Sequence, residues 1–478
     1  MTRMIALVLA GALLAGCVDT PSTTPSQIAL KPATLGLGAA PAPLVSDTWW
    51  TAFGDPQLDA LVDAALKGSP TLAAALARVR AAQSQLSASR AATYPQVSAD
   101  GNVVREHLSK TYIIPPPYGG STQWVGTLQA NLNWSLDFFG KQQAEIDRAR
   151  ATAHAAALDA TAARLVLAGS VTQAYIALDR AYLLLDVAQE AVTRQEGVLS
   201  LTAGRVKAGL DASAAEEQTR SLLASAREEL ILAKANRELA VHQIAALIGR
   251  GADAYDVARP HLNAAALALP ATLPADLLAR RPDIAAAQAR IEAAFQGREV
   301  ARKAYYPDIN LIALAGSAAL GLGPLFSGSS VQYGAGAAIH LPIFDAGTLD
   351  ANYAGATAQL DEAVADYNQS VVTSIRQTAD ALTDLRTLQE QAGEQRIALA
   401  SAQSAFDLAA RRYRSGLSPQ LNVLDAEDLL IRSRRQSAAL VADTASARVT
   451  LLMAVGGGYV PESHTADAIS NLQDNAHE

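Results

Sequence analysis

The chain has 478 residues, a formal net charge of −8 and 18% charged residues, below the roughly 25% of ordinary soluble domains. No Lys/Arg run or basic stripe is present, which speaks against a nucleic-acid partner. Half of the residues are apolar, only 5% are aromatic, and alanine is abundant. Alanine is the strongest helix former and lets helices approach closely, so the composition reads as thin, tightly packed helices.

Arg3 precedes an almost wholly apolar stretch, Met4 to Leu14, too short to span a bilayer as a mature helix. Residues 1–16 therefore read as a signal peptide. The stretch ends in Leu14-Ala15-Gly16-Cys17, which resembles the lipobox of bacterial lipoproteins and implies acylation of Cys17. More than one acyl chain gives stable anchoring. Val18, rather than Asp, follows the cysteine, and by resemblance to lipoprotein sorting this implies the outer membrane. Cys17 is the only cysteine, so no intramolecular disulfide can form. Residues 17–48, rich in Pro, Ser, Thr, Gly and Ala, read as a lipidated, extended tether. The folded body begins at Trp49-Trp50. No later segment offers 18 uninterrupted apolar residues, so a membrane crossing must use the strands of a closed barrel.

From here the chain repeats itself. Ser69-Pro70, Arg78, Ala81-Ala82 and Tyr94-Pro95 return as Arg281-Pro282, Arg290, Ala293-Ala294 and Tyr306-Pro307, 212 residues on. Arg205 to Leu210 returns as Arg412 to Leu417 with an offset of 207, the loop between being five residues longer in the first copy. The body is thus two copies of one unit, over 49–269 and 270–462, with a flexible tail at 463–478.

In chain order, Pro70 to Ala92 reads as a helix with Ser69 as N-cap and Pro70 in the first turn, stopped by Pro95. A hairpin follows over 96–136. In its second strand, Trp124, Gly126, Leu128, Ala130, Leu132, Trp134 and Leu136 alternate with Val125, Thr127, Gln129, Asn131, Asn133 and Ser135. That is the pattern of a lipid-facing strand with aromatic ends. Lys141 to about Ala203 predicts a helix on the order of 90 Å long. Gly209-Leu210-Asp211 reverses the chain into a helix running to Ile248. The second copy predicts a hairpin over 308–343, a helix from Thr348 to Arg414, a reversal at Ser415-Gly416-Leu417, and a return helix to about Val455. Helices this long belong to coiled coils or helical tubes. Four strands cannot close a membrane barrel, whose smallest form has eight, so other chains must pair the edges.

The chain resembles the TolC-like outer membrane efflux family, in its OprM/NodT-type lipoprotein branch. Four stretches carry the likeness: Trp49-Trp50 with Phe53-Gly54-Asp55-Pro56; Leu273 to Ile284 with Arg280-Arg281-Pro282-Asp283; Pro342 to Gly347; and Arg412 to Leu417 followed by Val423-Leu424-Asp425-Ala426. The resemblance implies a mainly α fold with a β-barrel portion: a homotrimer with a twelve-stranded barrel in outer-membrane lipid and a long helical tube in the periplasm. It implies the exit duct of a tripartite efflux pump, working with a periplasmic adaptor and an inner-membrane resistance-nodulation-division pump. The tip turns, with Arg205, Gly209, Leu210, Gly416 and Leu417, would meet the adaptor. Tyr413, Asn422 and Asp425 would form the gate, Tyr413 hydrogen-bonding a neighbouring helix. Two acids are familiar at the positions of Asn422 and Asp425, and here one remains. Three Asp425 carboxylates on one axis would need cations or basic partners such as Arg412 or Arg414.

No catalytic residue, cofactor or metal site is expected. The seven histidines form no metal-ligand spacing, no phosphate-cradling Gly-Lys-Ser/Thr loop or Gly-x-Ser-x-Gly elbow is present, and Gly456-Gly457-Gly458 ends a helix. The competing readings are a type I protein secretion duct and a non-conducting periplasmic coiled-coil lipoprotein; the alternating hairpins speak against the second.

Overall fold

The computed structural model describes residues 23–31, 35, 46–111, 113–251, 257–263, 269, 270, 272, 274 and 276–459. Cys17, the signal segment and the 463–478 tail lie outside them. After a single 3-10 turn at Trp49–Phe53 comes α1 (Pro56–Gly68). The first unit then runs α2 (Pro70–Ala91), β1 (Gln96–His107), β2 (Thr122–Leu136), α3 (Lys141–Lys207) and α4 (Ser213–Leu247). The second runs α5 (Pro282–Lys303), β3 (Asp308–Leu320), β4 (Val331–His340), α6 (Thr348–Arg414) and α7 (Leu421–Ala454). The units match element by element: α2 and α5 have 22 residues each, and α3 and α6 have 67 each, about 100 Å of helix.

Two local expectations are corrected. Ser69 stands at the N-cap of α2, but its buried side chain makes no capping bond. β4 ends at His340 rather than 343, because Pro342 has no N–H for a ladder, and Ile343 and Phe344 point into solvent. Within the 17–48 stretch, residues 23–31 are docked on the helices. Thr23–Lys31 runs extended along α6, pinned where Asp361 accepts the Ser26 N–H (2.8 Å) and Gln27 N–H (2.9 Å) and where Asn368 brackets Ile28 and Leu30.

The main core lies midway along α3, where the C-terminal ends of α4 and α7 meet it. Trp49, Trp50, Phe53, Leu58 and Val62 bury against Val171, Tyr175 and Leu178 of α3, Ile244 of α4, and Val449 and Leu452 of α7. One window of α3 is apolar enough to cross a membrane by composition alone, yet those residues serve this core. Asp55 ties the level together, accepting the Gln57 N–H at 3.0 Å, the Tyr175 hydroxyl at 2.7 Å and the His261 N–H at 2.9 Å. Burial alone would raise its carboxyl, but these donors hold it below the usual range. The Arg281-Pro282-Asp283 string is structural: Arg281 donates to the Ala454 carbonyl at the end of α7 (3.0 Å) and pairs with Asp283 (2.7 Å).

The strands form one antiparallel sheet in the order β1-β2-β3-β4. Its register gathers one apolar face from all four: Val97, Ala99 and Gly101 opposite Leu132, Ala130 and Leu128, then Leu311 and Ala313 of β3, then Tyr333, Ala335 and Ala337 of β4. The other face carries Ser98, Asp100, Gln129, Asn131 and Asn133, with Asn131 donating to Asp100 at 2.7 Å. Ile312 and Leu314 interrupt this polar face. β1 and β4 are open edges, and in lipid an unpaired backbone group costs several kcal/mol, so neighbouring chains must supply the missing partners.

Leu128→Arg, near the middle of the apolar band, is expected to destabilise the membrane-inserted protein by about 2–4 kcal/mol, whereas Asn131→Arg, facing Asp100, should be tolerated. Denaturant unfolding in vesicles measures both; equal losses would contradict the assigned faces.

Candidate gate at the helical tip

The end of the helices farthest from the sheet is built from two matching reversals. In the first, Gly209 adopts φ +72° and the Leu210 N–H reaches back to the Arg205 carbonyl at 2.9 Å. In the second, Gly416 adopts φ +73° and the Leu417 N–H reaches the Arg412 carbonyl at 2.8 Å. Both are glycine-capped helix ends in which the left-handed residue lets orphan carbonyls find donors. The following leucine usually folds back on its helix, but Leu210 is 65% and Leu417 71% exposed.

Between the reversals lies a polar lock. The Tyr413 side chain is buried, and its hydroxyl donates to Asp211 at 2.7 Å. Arg205 grips the same carboxylate through Nε (2.8 Å) and Nη2 (3.3 Å), and its guanidinium lies 4.7 Å over the Tyr413 ring. The Arg205 bonds first, and the Tyr413 hydroxyl second, hold Asp211 below the usual carboxylate range. Alongside, buried Gln420 donates to Thr202 of α3 (3.0 Å) and Thr219 of α4 (2.5 Å). Both contacts fasten the second reversal to the first helix pair.

The outer membrane efflux protein profile matches residues 61–250 and 273–457. The chain belongs to the outer membrane efflux protein family. The fusaric acid resistance protein FusA of Burkholderia cepacia is 35% identical over 370 residues, covering 75% of this chain and 69% of that protein. The probable efflux pump outer membrane protein TtgC of Pseudomonas putida is 30% identical over 485 residues, 99% of both. The crystal structure of the outer membrane protein VceC of Vibrio cholerae matches with a TM-score of 0.80 at 32% identity, covering 87% of this chain and 100% of that one. This outer membrane efflux protein is therefore a channel subunit: three sheets of four strands close one barrel, and the helices of three chains form a tube beneath it.

In this family member Arg205, Gly209 and Leu210 lie in the first reversal and Gly416 and Leu417 in the second, and Tyr413 bonds to Asp211 in the first reversal rather than to a neighbouring helix. Asn422 and Asp425 are exposed on α7, and among the described residues Asp425 forms no ion pair within its own chain, with Arg412 and Arg414 or with any other base. The acceptor Asp211 was not singled out from sequence, although a signal existed: the residue after Gly-Leu is an acid in the first reversal and Ser418 in the second.

Also not foreseen was Glu427, 1% exposed and facing α3. Gln195 donates to one oxygen at 3.0 Å, while the other oxygen and two of the Arg194 nitrogens have no hydrogen-bond partner among the described residues. Burial pushes this carboxyl up to about 7, with Arg194 pulling the other way.

Tyr413→Phe removes one of the donors to Asp211 and should raise the open probability of the channel in a planar bilayer several-fold; conductance like that of the parent would take Tyr413 out of the gate. A second expectation follows from Glu427. Its folded pKa is raised, so between about 4.5 and 7 the folded state holds more protons than the unfolded chain, and stability falls as pH rises through about 7. The melting temperature should drop from pH 5 to pH 8, and Glu427→Gln should flatten that dependence. An unchanged slope in the variant would show that Glu427 titrates as a solvated carboxylate.

Proposed function

We propose that three copies of this chain form the exit duct of a tripartite efflux pump. The duct conducts small toxic compounds passively from a periplasmic adaptor and an inner-membrane pump to the exterior, and it is closed at rest by the Arg205–Asp211–Tyr413 lock. The observation that carries this reading is the tip itself, where a polar lock and two outward leucines share one end of a tube. Two leucines exposed at the same end of the tube offer a partner protein apolar contacts. Leu210 and Leu417 are those contacts for the adaptor, whose grip on both reversals would separate Tyr413 from Asp211. In this reading Asp425 lines the opened mouth, three times around the axis, as its exposure on α7 permits. FusA is a fusaric acid resistance protein and TtgC a probable efflux pump component, which supports small-molecule cargo here.

Lipid attachment at Cys17 completes the proposal. The pinned strand begins at Thr23, whose carbonyl accepts from Arg298 near the end of α5, and β3 starts shortly after that helix. In this proposal the six residues back from Thr23, which can span at most about 20 Å, carry the acylated Cys17 to the leaflet at the foot of the barrel. Cys17→Ser is expected to abolish labelling by radioactive palmitate while leaving a conducting trimer, because the barrel itself holds the membrane.

The docking role is tested in cells lacking their own duct, supplied with this chain and its pump and adaptor. Leu210→Asp with Leu417→Asp should abolish drug resistance while the purified channel keeps its bilayer conductance. Full resistance in the double variant would move adaptor docking elsewhere.

A further inference from the structure

The outer end of the barrel carries a feature that conduction does not use. β1 leaves α2 at Gln96, so its His107 end is the extracellular one. There Arg105 pairs across the ladder with Trp124 on the lipid-facing side of the sheet, its guanidinium 5.8 Å over the indole. Trp134 marks the opposite end of the same face, its indole N–H donating to the Thr93 carbonyl at 2.9 Å. Ten residues of strand at about 3.3 Å each, tilted as in membrane barrels, span roughly 25 Å, the height of the apolar band. Arg105 thus stands outside the lumen at the headgroup level of the outer leaflet. Among the described residues it enters no ion pair. The nearest acid in sequence, Glu106, points to the other face, opposite Gln123.

Two further observations sit beside it. The second hairpin has no charged side chain between Asp308 and His340, whereas the first brings Arg105, His107 and Lys110 to its outer end. The apolar turn of the second hairpin also drapes over the lipid face of β2. Leu325 is buried against Gly126, two residues from Trp124, where an added Cβ would sit 3.2 Å from Leu325 Cδ2; next to it Phe326 is 81% exposed. A planar cation held flat by an indole, beside an apolar shelf, matches a ligand with a phosphate at one end and acyl chains at the other.

We propose that Arg105, stacked on Trp124 beside Leu325 and Phe326, binds the phosphate of a phosphorylated glycolipid of the outer leaflet, at three sites around each trimer. The guanidinium forks the phosphate and the shelf takes the first acyl chain, fixing the barrel against its own leaflet.

Purified trimer is titrated with diphosphorylated lipid A, with the same lipid stripped of its phosphates, and with inorganic phosphate, and bound lipid is counted by native mass spectrometry. The parent should prefer the diphosphorylated lipid. R105Q, checked for trimer assembly on unheated gels, should bind it about tenfold more weakly, the scale of one charged hydrogen bond. Millimolar inorganic phosphate should not displace the lipid. Equal binding of the two lipids by the parent overturns the proposal whatever the variant does. So does undiminished binding by R105Q, and displacement by phosphate alone would make this an anion site rather than a lipid site. Each of these outcomes leaves the exit-duct reading untouched, since Arg105 lies outside the lumen.

Discussion

A bilayer interior offers no water to an unpaired amide, and this constraint organises the whole molecule. Each unit contributes a hairpin, two hairpins make one sheet of four strands, and that sheet ends in two open edges, β1 and β4. A single chain cannot satisfy those edges in lipid; a ring of chains can. The threefold assembly then dictates the rest. Each hairpin hands the chain to a helix of 67 residues, and because both are the same length, both reversals fall at one level beneath the membrane. Alanine on the inner faces keeps the wall thin, and Gly169 lets Met453 of α7 come close, its absent Cβ leaving room 2.8 Å from that sulfur.

Where helices pack through alanine and leucine there is little to define an open and a closed state. Polar pairs tie α3 to α7 and the turn before it at two levels: midway along α3, where Gln173 meets Ser446 and Arg180 meets Asp443, and nearer the tip, where Gln420 meets Thr202 and Gln195 meets Glu427, with Tyr413 and Arg205 sharing Asp211 at the reversals. Buried polar groups are costly when their partners leave, so such contacts favour a discrete choice between made and broken rather than gradual loosening. Asp211 serves two donors at once, which makes its carboxylate the shared point of the first helix pair and the second.

The repeat made most of the architecture legible. The 212- and 207-residue offsets placed every long helix to within a few residues, and alternation in Trp124–Leu136 predicted the face that the register later gathered across four strands. What stayed hidden has one physical character: partners far apart in sequence. Tyr413 was seen as a donor, but Asp211 lies 202 residues away, and Glu427 meets Gln195 across 232. The docking of Ser26 on Asp361 spans 335 residues, so composition showed an extended stretch there but not what it lies against. Ser69 shows the reverse case: it takes the N-cap position its sequence context indicated, yet its buried side chain makes no capping bond.

The most direct measurement is of the open edges. With Cys17 replaced by Ser, one cysteine is placed at Val97, Ala99 or Gly101 of β1 and a second at Ala335, Ala337 or Ile339 of β4. Oxidation in intact outer membranes should join chains edge to edge and give a ladder on denaturing gels that stops at the covalent trimer. A ladder that stops at the dimer, or no interchain bond from any of the pairs, would contradict closure of the barrel by three copies of this chain.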